Sequence, residues 1–247
     1  MRHRTPASRT VALACAACAL LLVARGAIAQ ASASITLESD YRFRGVSLGG
    51  SRPSARAEIG YDADHGWYAG GAIARAQFPG GDRYTQLALY GGRVFPLTSA
   101  LNLDTGASLW RFTGGGYDFA EAYAGLVARE WNVRLNYSPN YFHEGVKTLY
   151  LEAAARRLIT DDWRVFAHVG ELVRVSPPGP VDPSDYDNGS GAVPRRARWD
   201  VRTGIGWTAR ENLDLQLAWT RASRGGPVPT TTRGGRAGWI ASAAFSF

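Results

Sequence analysis

Ala237-Gly238-Trp239-Ile240-Ala241-Ser242-Ala243-Ala244-Phe245-Ser246-Phe247 closes the chain, and its alternation decides the fold. Ala237, Trp239, Ala241, Ala243, Phe245 and Phe247 share one parity. In an extended strand residues i, i+2 and i+4 line one face, so this is a terminal strand with a continuous apolar face. Soluble domains usually end in polar, frayed residues. This chain ends on an aromatic ring.

The other end carries a leader. Arg2, Arg4 and Arg9 precede an apolar run from Val11 to Val23, followed by Ala27-Ile28-Ala29, the plan of a secretory signal peptide. Cleavage is expected after Ala29, leaving 30–247 as a single domain. The run of thirteen residues is short of the roughly 20 that a spanning helix needs. Cys15 and Cys18 lie inside the leader with too little apolar run before them for a lipoprotein cysteine. Residues 30–247 then hold no cysteine, which excludes disulfides, thiolate catalysis and cysteine metal sites. Four arginines leave with the leader, so 24 bases face 21 acids, a net charge of +3. That balance, without a basic cluster interleaved with aromatics, gives no nucleic-acid partner.

Alternation recurs along the rest of the chain. Ile35, Leu37, Tyr41 and Phe43 oppose Thr36, Glu38, Asp40, Arg42 and Arg44 in a first strand. Trp131, Val133, Leu135 and Tyr137 oppose Asn132, Arg134, Asn136 and Ser138. Trp199, Val201, Ile205 and Trp207 oppose Arg198, Asp200, Arg202 and Gly204, and Leu213 to Trp219 split the same way. Ala55–Tyr61, Leu101–Leu109, Leu149–Ala155 and Trp163–Val169 are weaker cases. Trp67–Phe78, Tyr84–Val94 and Tyr117–Val127, rich in Gly, Ala and Tyr, show no clean parity. With the terminal strand the count is twelve.

Connections after even strands are compact, such as Asp62–Gly66 and Arg129-Glu130, whereas those after odd strands include the long Val175–Arg196 and Ala222–Gly235. Both termini fall on the short side. This predicts an all-β, transmembrane, antiparallel up-and-down barrel in the bacterial outer membrane. A soluble sandwich or lipocalin-like barrel would also alternate, with its apolar face inside. Mixed charges on the polar faces and Trp or Tyr at strand ends favour lipid outside. Outer-membrane barrels, which this plan resembles, finish on a strand ending in Phe. That resemblance implies outer-membrane lipid and the barrel-assembly machinery, through Phe247, as partners.

The polar parity then lines a lumen. Glu38, Asp40, Arg42, Arg44, Arg56, Glu58, Arg134, Glu152, Arg198, Asp200 and Arg202 are its pore-lining candidates, with Asp62, Asp104, Arg156, Arg164, Asp214 and Arg236. Most are expected to form shape-holding salt bridges, since the planar arginine fork pairs bidentately with carboxylates. Unpaired members would set ion preference. Arg56 is the candidate for an unpaired positive charge near the entrance.

Ser39-Asp40-Tyr41-Arg42-Phe43-Arg44-Gly45-Val46-Ser47, then Pro53, Tyr61 and Gly66-Trp67-Tyr68-Ala69-Gly70, resemble the opening motif of the TorF-type porins, a proteobacterial domain of unknown function (Gcw_chp). Tyr137-Ser138-Pro139-Asn140-Tyr141-Phe142, Leu149-Tyr150-Leu151-Glu152 and His168-Val169-Gly170 are similar to its middle segments. The resemblance implies a porin-like barrel passing small hydrophilic solutes. The chain departs from the pattern at Arg56, where Gln is expected.

Two other functions compete. A barrel hydrolase or acyltransferase needs a nucleophile, a base and an orienting group in hydrogen-bond reach. His65, His143 and His168 have no local serine signature, and only a cluster of Ser138, His143 and Glu144 at the outer rim would supply one. A non-conducting structural or adhesin barrel would present the loop Val175–Arg196, whose Asp182, Asp185 and Asp187 do not meet a calcium-loop pattern. The reading is a porin, not an enzyme, with no cofactor and no metal.

Overall fold

In a computed structural model the described residues are 31–77, 83–114, 116–176, 196–223, 226 and 237–247. The leader, the tip at 79–82, most of the loop at 175–196 and Arg236 lie outside them.

The strands are β1 (Ala31–Glu38), β2 (Arg42–Phe43), β3 (Val46–Ser47), β4 (Ser54–Asp62), β5 (Trp67–Gln77), β6 (Arg83–Pro96) and β7 (Asn102–Phe112). They continue with β8 (Phe119–Val127), β9 (Trp131–Tyr141), β10 (Val146–Leu158), β11 (Trp163–Arg174), β12 (Ala197–Arg210), β13 (Leu213–Ala222) and β14 (Ala237–Ser246). β1 and β4 to β14 form one closed barrel of twelve strands, as the sequence predicts. The terminal strand meets the first, with Phe245 opposite Ile35 and Ala243 opposite Leu37. Closure pairs every strand on both sides and leaves no sheet edge.

The apolar parity faces outward. Leu37 (58% exposed), Leu89 (62%) and Leu217 (47%) form a band around the barrel. Exposed Trp67, Trp131, Trp163 and Trp207 ring its short-turn end, where Trp163 and Trp207 are register partners with stacked rings 5.6 Å apart. Trp199 and Trp239 stand exposed near the long-loop end. The buried polar residues, among them Gln86, Asp104, Glu121, Asn136 and Asp200, face in. This inversion excludes the soluble barrel and matches an apolar belt between aromatic girdles.

One expectation is overturned. The first strand was to run through Arg44, putting Arg42 and Arg44 on the inward parity of the wall. β1 instead stops at Glu38, and the chain turns into the lumen as the separate β2–β3 sheet. Asp40 causes the turn. Its carboxylate accepts hydrogen bonds from Ser47 Oγ (2.5 Å), the Ser51 backbone N–H (3.2 Å) and Arg42 Nε (2.9 Å), which gather residues that a straight strand would carry apart.

Candidate functional site: a lumen with an inward hairpin

Between β2 and β3 only Arg44 and Gly45 turn the chain, with Phe43 opposite Val46 and φ of 48° and 74° at the two turn residues. Positive φ at both central positions is the geometry of a type I′ turn, and glycine supplies it without strain. Space also demands glycine. A Cβ on Gly45 would stand 2.5 Å from Asp200 Cβ and 2.8 Å from Ala222 Cβ, so the hairpin tip presses against β12 and β13.

Arg44 points into the wall on the other side. Its Nη2 donates to Glu121 Oε2 at 2.7 Å, and its guanidinium lies 4.2 Å from the Tyr150 ring centroid, 4.9 Å from Phe43 and 5.5 Å from Tyr141. The site combines a charge pair with cation–π contacts in a cage that excludes water. Phe43 packs on Trp110 and Phe119, while the Tyr41 hydroxyl donates to Gln86 Oε1 at 2.6 Å. Buried Phe112, Tyr141, Phe142 and Leu172 complete a core cluster at the long-loop end.

Below the hairpin the lumen opens into a chamber of about 940 Å³ that reaches the Ala128–Trp131 turn at the short-turn end. Its walls follow from a repeated pairing. Tyr68 faces Gly92, Tyr90 faces Gly70, Tyr123 faces Gly106, Phe166 faces Gly204 and Arg164 faces Gly206 across neighbouring strands. In each pair the larger side chain occupies the place a Cβ on the glycine would take, so it lies along the wall. The Tyr68 hydroxyl then reaches both Asp104 Oδ1 and the Tyr123 hydroxyl, each at 2.6 Å.

Most lumen charges are paired. Arg42 binds Asp40 (2.9 Å), Arg56 binds Glu58 (2.9 Å), Arg134 binds Asp104 (2.7 Å) and Arg164 binds Asp214 (2.6 Å). Arg134 thus bypasses Glu152, its register partner on β10, for a carboxylate two strands away, and Glu152 accepts from Asn136 Nδ2 at 3.2 Å instead. Arg56 is therefore neutralised by its own strand, against the expectation of a free charge there. Among the described residues Arg202 lines the chamber without a carboxylate in salt-bridge reach, as does the exposed Arg156 toward the short-turn end. Arg202 reaches Gln216 Oε1 at 3.5 Å, and Glu38 lies within the electrostatic reach of both Arg202 and Arg56. Arg198 is buried at the long-loop end of β12. Asp200 accepts from the Tyr150 hydroxyl (3.1 Å) and sits 3.3 Å from His168 Nε2.

Glu121 and Tyr123 escaped the sequence reading, and Tyr68 and Tyr150 entered it only as motif residues, without a place in the lumen. The available signal for Glu121 was its alternation with Ala120, Ala122 and Ala124, small residues whose outward face carries little hydropathy. The Ser138, His143 and Glu144 arrangement is not assembled. Ser138 is fully buried with no hydrogen-bond partner for its Oγ, while His143 (φ 62°) and Glu144 occupy an exposed turn. No group of three or more His, Cys, Asp or Glu among the described residues is placed to hold a metal ion.

Solved structures share the fold. The NanC porin superposes with a TM-score of 0.58 at 10% identity, covering 86% of this chain and 98% of that one. The KdgM porin gives 0.55 at 12% identity, covering 87% and 99%. The COG4313 outer membrane channel from Pseudomonas putida F1 gives 0.51 at 10% identity, covering 88% and 94%. No curated protein matches the sequence. Residues 26–197 match the family described as bacterial protein of unknown function (Gcw_chp), and the chain belongs to that family.

Proposed function

We propose that the chain is an outer-membrane porin whose charged lumen lets small hydrophilic solutes diffuse across the bilayer. The observation that carries the reading is the inverted barrel: an apolar outer band around an interior of ion pairs and a chamber of about 940 Å³. A lipid-facing exterior is pointless without lipid, and a polar chamber inside it offers water and solutes a path that the hydrocarbon denies. In this reading 1–29 is the signal peptide, 30–247 the barrel, and the terminal strand ending in Phe247 is read by the barrel-assembly machinery. The motif from Ser39 to Ser47 supports the TorF-type assignment within the family. The KdgM porin has been solved in complex with disordered oligogalacturonate, which supports a small hydrophilic solute as the cargo class here.

The hairpin across the long-loop half of the lumen favours one competing reading, a non-conducting scaffold. Planar-bilayer conductance of the refolded protein separates them. Reproducible unitary steps are expected of a porin, and their absence from a correctly folded barrel overturns the proposal.

A further inference from the structure

We infer that the hairpin from Asp40 to Ser51 is a gate, seated in the lumen by an Arg44–Glu121 latch, and not a fixed part of the wall. Its internal bonds make it a self-contained body. Asp40 ties Arg42, Ser47 and Ser51 together, and the backbone N–H groups of Leu48 and Gly49 both donate to Tyr41 O (2.7 and 3.0 Å). Its sheet contains β2 and β3 alone and adds no strand to the barrel. What seats it is a set of contacts that can release together: Arg44 on Glu121, Tyr41 on Gln86, Phe43 on Trp110, Leu48 within the buried cluster, and the backbone of the Gly45 tip against Asp200 and Ala222.

The latch is not strongly one-sided. Arg44 and Glu121 side chains are 7% and 2% exposed, yet they share a single hydrogen bond, and Arg44 Nη1 and Glu121 Oε1 have no hydrogen-bond partner. A buried pair that satisfies only half of its polar atoms recovers little of its desolvation cost. The cation–π contacts add to the seat but are lost in the same movement. Hinges are available at both ends: Ser39, which keeps its backbone bond to Ala241 O at 2.9 Å, and the exposed Arg52 and Pro53. Withdrawal of the hairpin would remove Tyr41 to Gly45 from the roof of the chamber and uncover Ala222, which is 5% exposed beneath the tip.

What the gate controls rests on the porin reading, but its movement can be measured separately. Ala222→Cys is introduced into the full chain with Cys15→Ser and Cys18→Ser, and the refolded barrel is treated with a charged methanethiosulfonate. The neutral pair Arg44→Gln, Glu121→Gln unfastens the latch without stranding a charge. Gly45→Val is the second variant, pushing the tip off the wall. Heat-modifiable gel mobility checks that each barrel has folded. Labelling about ten-fold faster or more is expected of Gly45→Val, since a Cβ at the tip has no room against Asp200 and Ala222, and about three-fold or more of the neutral pair, which gives up the charged hydrogen bond and the cation–π contacts but also their desolvation cost. Rates within about two-fold of the parent in both variants overturn the gate, whatever the conductance. Faster labelling together with a higher open fraction of unitary steps supports a gated pore. Faster labelling with no steps in any of the three proteins retains the moving hairpin and overturns the porin reading.

Discussion

Arg164 and Asp214 join through two parallel hydrogen bonds of 2.6 Å that reach from β11 to β13 over the strand between them. The crossing depends on Gly206. A Cβ there would lie 2.6 Å from the Arg164 guanidinium carbon, so the absent side chain is the path of the bridge. Gln216 adds a third bond to the same carboxylate at 2.9 Å.

Gly206→Leu should therefore break the bridge with both partners still in the sequence. The expected loss is about 1.5 to 3 kcal/mol, the range for hydrogen bonds to charged groups, because both side chains are largely shielded. Urea unfolding from lipid vesicles measures it. A cost no larger than that of Gly91→Leu, on the outward parity, would mean that the bridge contributes little to stability.

Leu217 tests the orientation of the barrel. It is 47% exposed on the outward face, level with Ile205 and Ala241 near the middle of their strands. Leu217→Arg should cost about 2 to 4 kcal/mol where it meets mid-bilayer hydrocarbon. Arg156→Gln on the inward parity should stay within about 0.5 kcal/mol, as solvated positions do. Equal costs in a vesicle-folding assay would contradict a lipid-facing Leu217.

Ion preference should follow Arg202, not Arg56. The Arg56–Glu58 pair is neutral as a unit, so Arg56→Gln combined with Glu58→Gln is expected to leave the reversal potential under a salt gradient unchanged. Arg202→Gln should move it toward cation preference, since a positive charge facing a low-dielectric lumen acts over a long reach. The reverse pattern would place Arg202 off the permeation path.

The twelve strands, and the outward faces of those with a clear parity, were legible because Trp131, Val133, Leu135 and Tyr137, and the equivalent residues elsewhere, alternate with polar neighbours. The three segments without parity failed for a physical reason. In β5, β6 and β8 the outward positions hold Ala69, Gly71, Gly91, Ala120, Ala122 and Ala124, while the inward ones hold tyrosines beside Gly70, Gly92 and Gly125. Hydropathy then alternates weakly or in the wrong sense. The hairpin was hidden differently. Tyr41 and Phe43 continue the parity of Ile35 and Leu37, and what turns them inward is Asp40 reaching Ser47 and Ser51, seven and eleven residues ahead. Local periodicity carries no trace of such a bond. The partners of Arg44 and Arg134, 77 and 30 residues away, are equally invisible to it.

Because Tyr68, Tyr90 and Tyr123 each lie where a glycine has no side chain, strand number does not by itself set the bore. The strands fix the radius of the backbone ring, and the glycines decide how much of that radius is given up to side chains. A methyl group at Gly92 would meet both the Tyr68 ring and the Thr105 carbonyl oxygen, and one at Gly70 both the Tyr90 ring and the Ile59 carbonyl oxygen. The bore of such a barrel is thus guarded twice at the same positions, since a side chain there would crowd an aromatic ring on one strand and the backbone of the next.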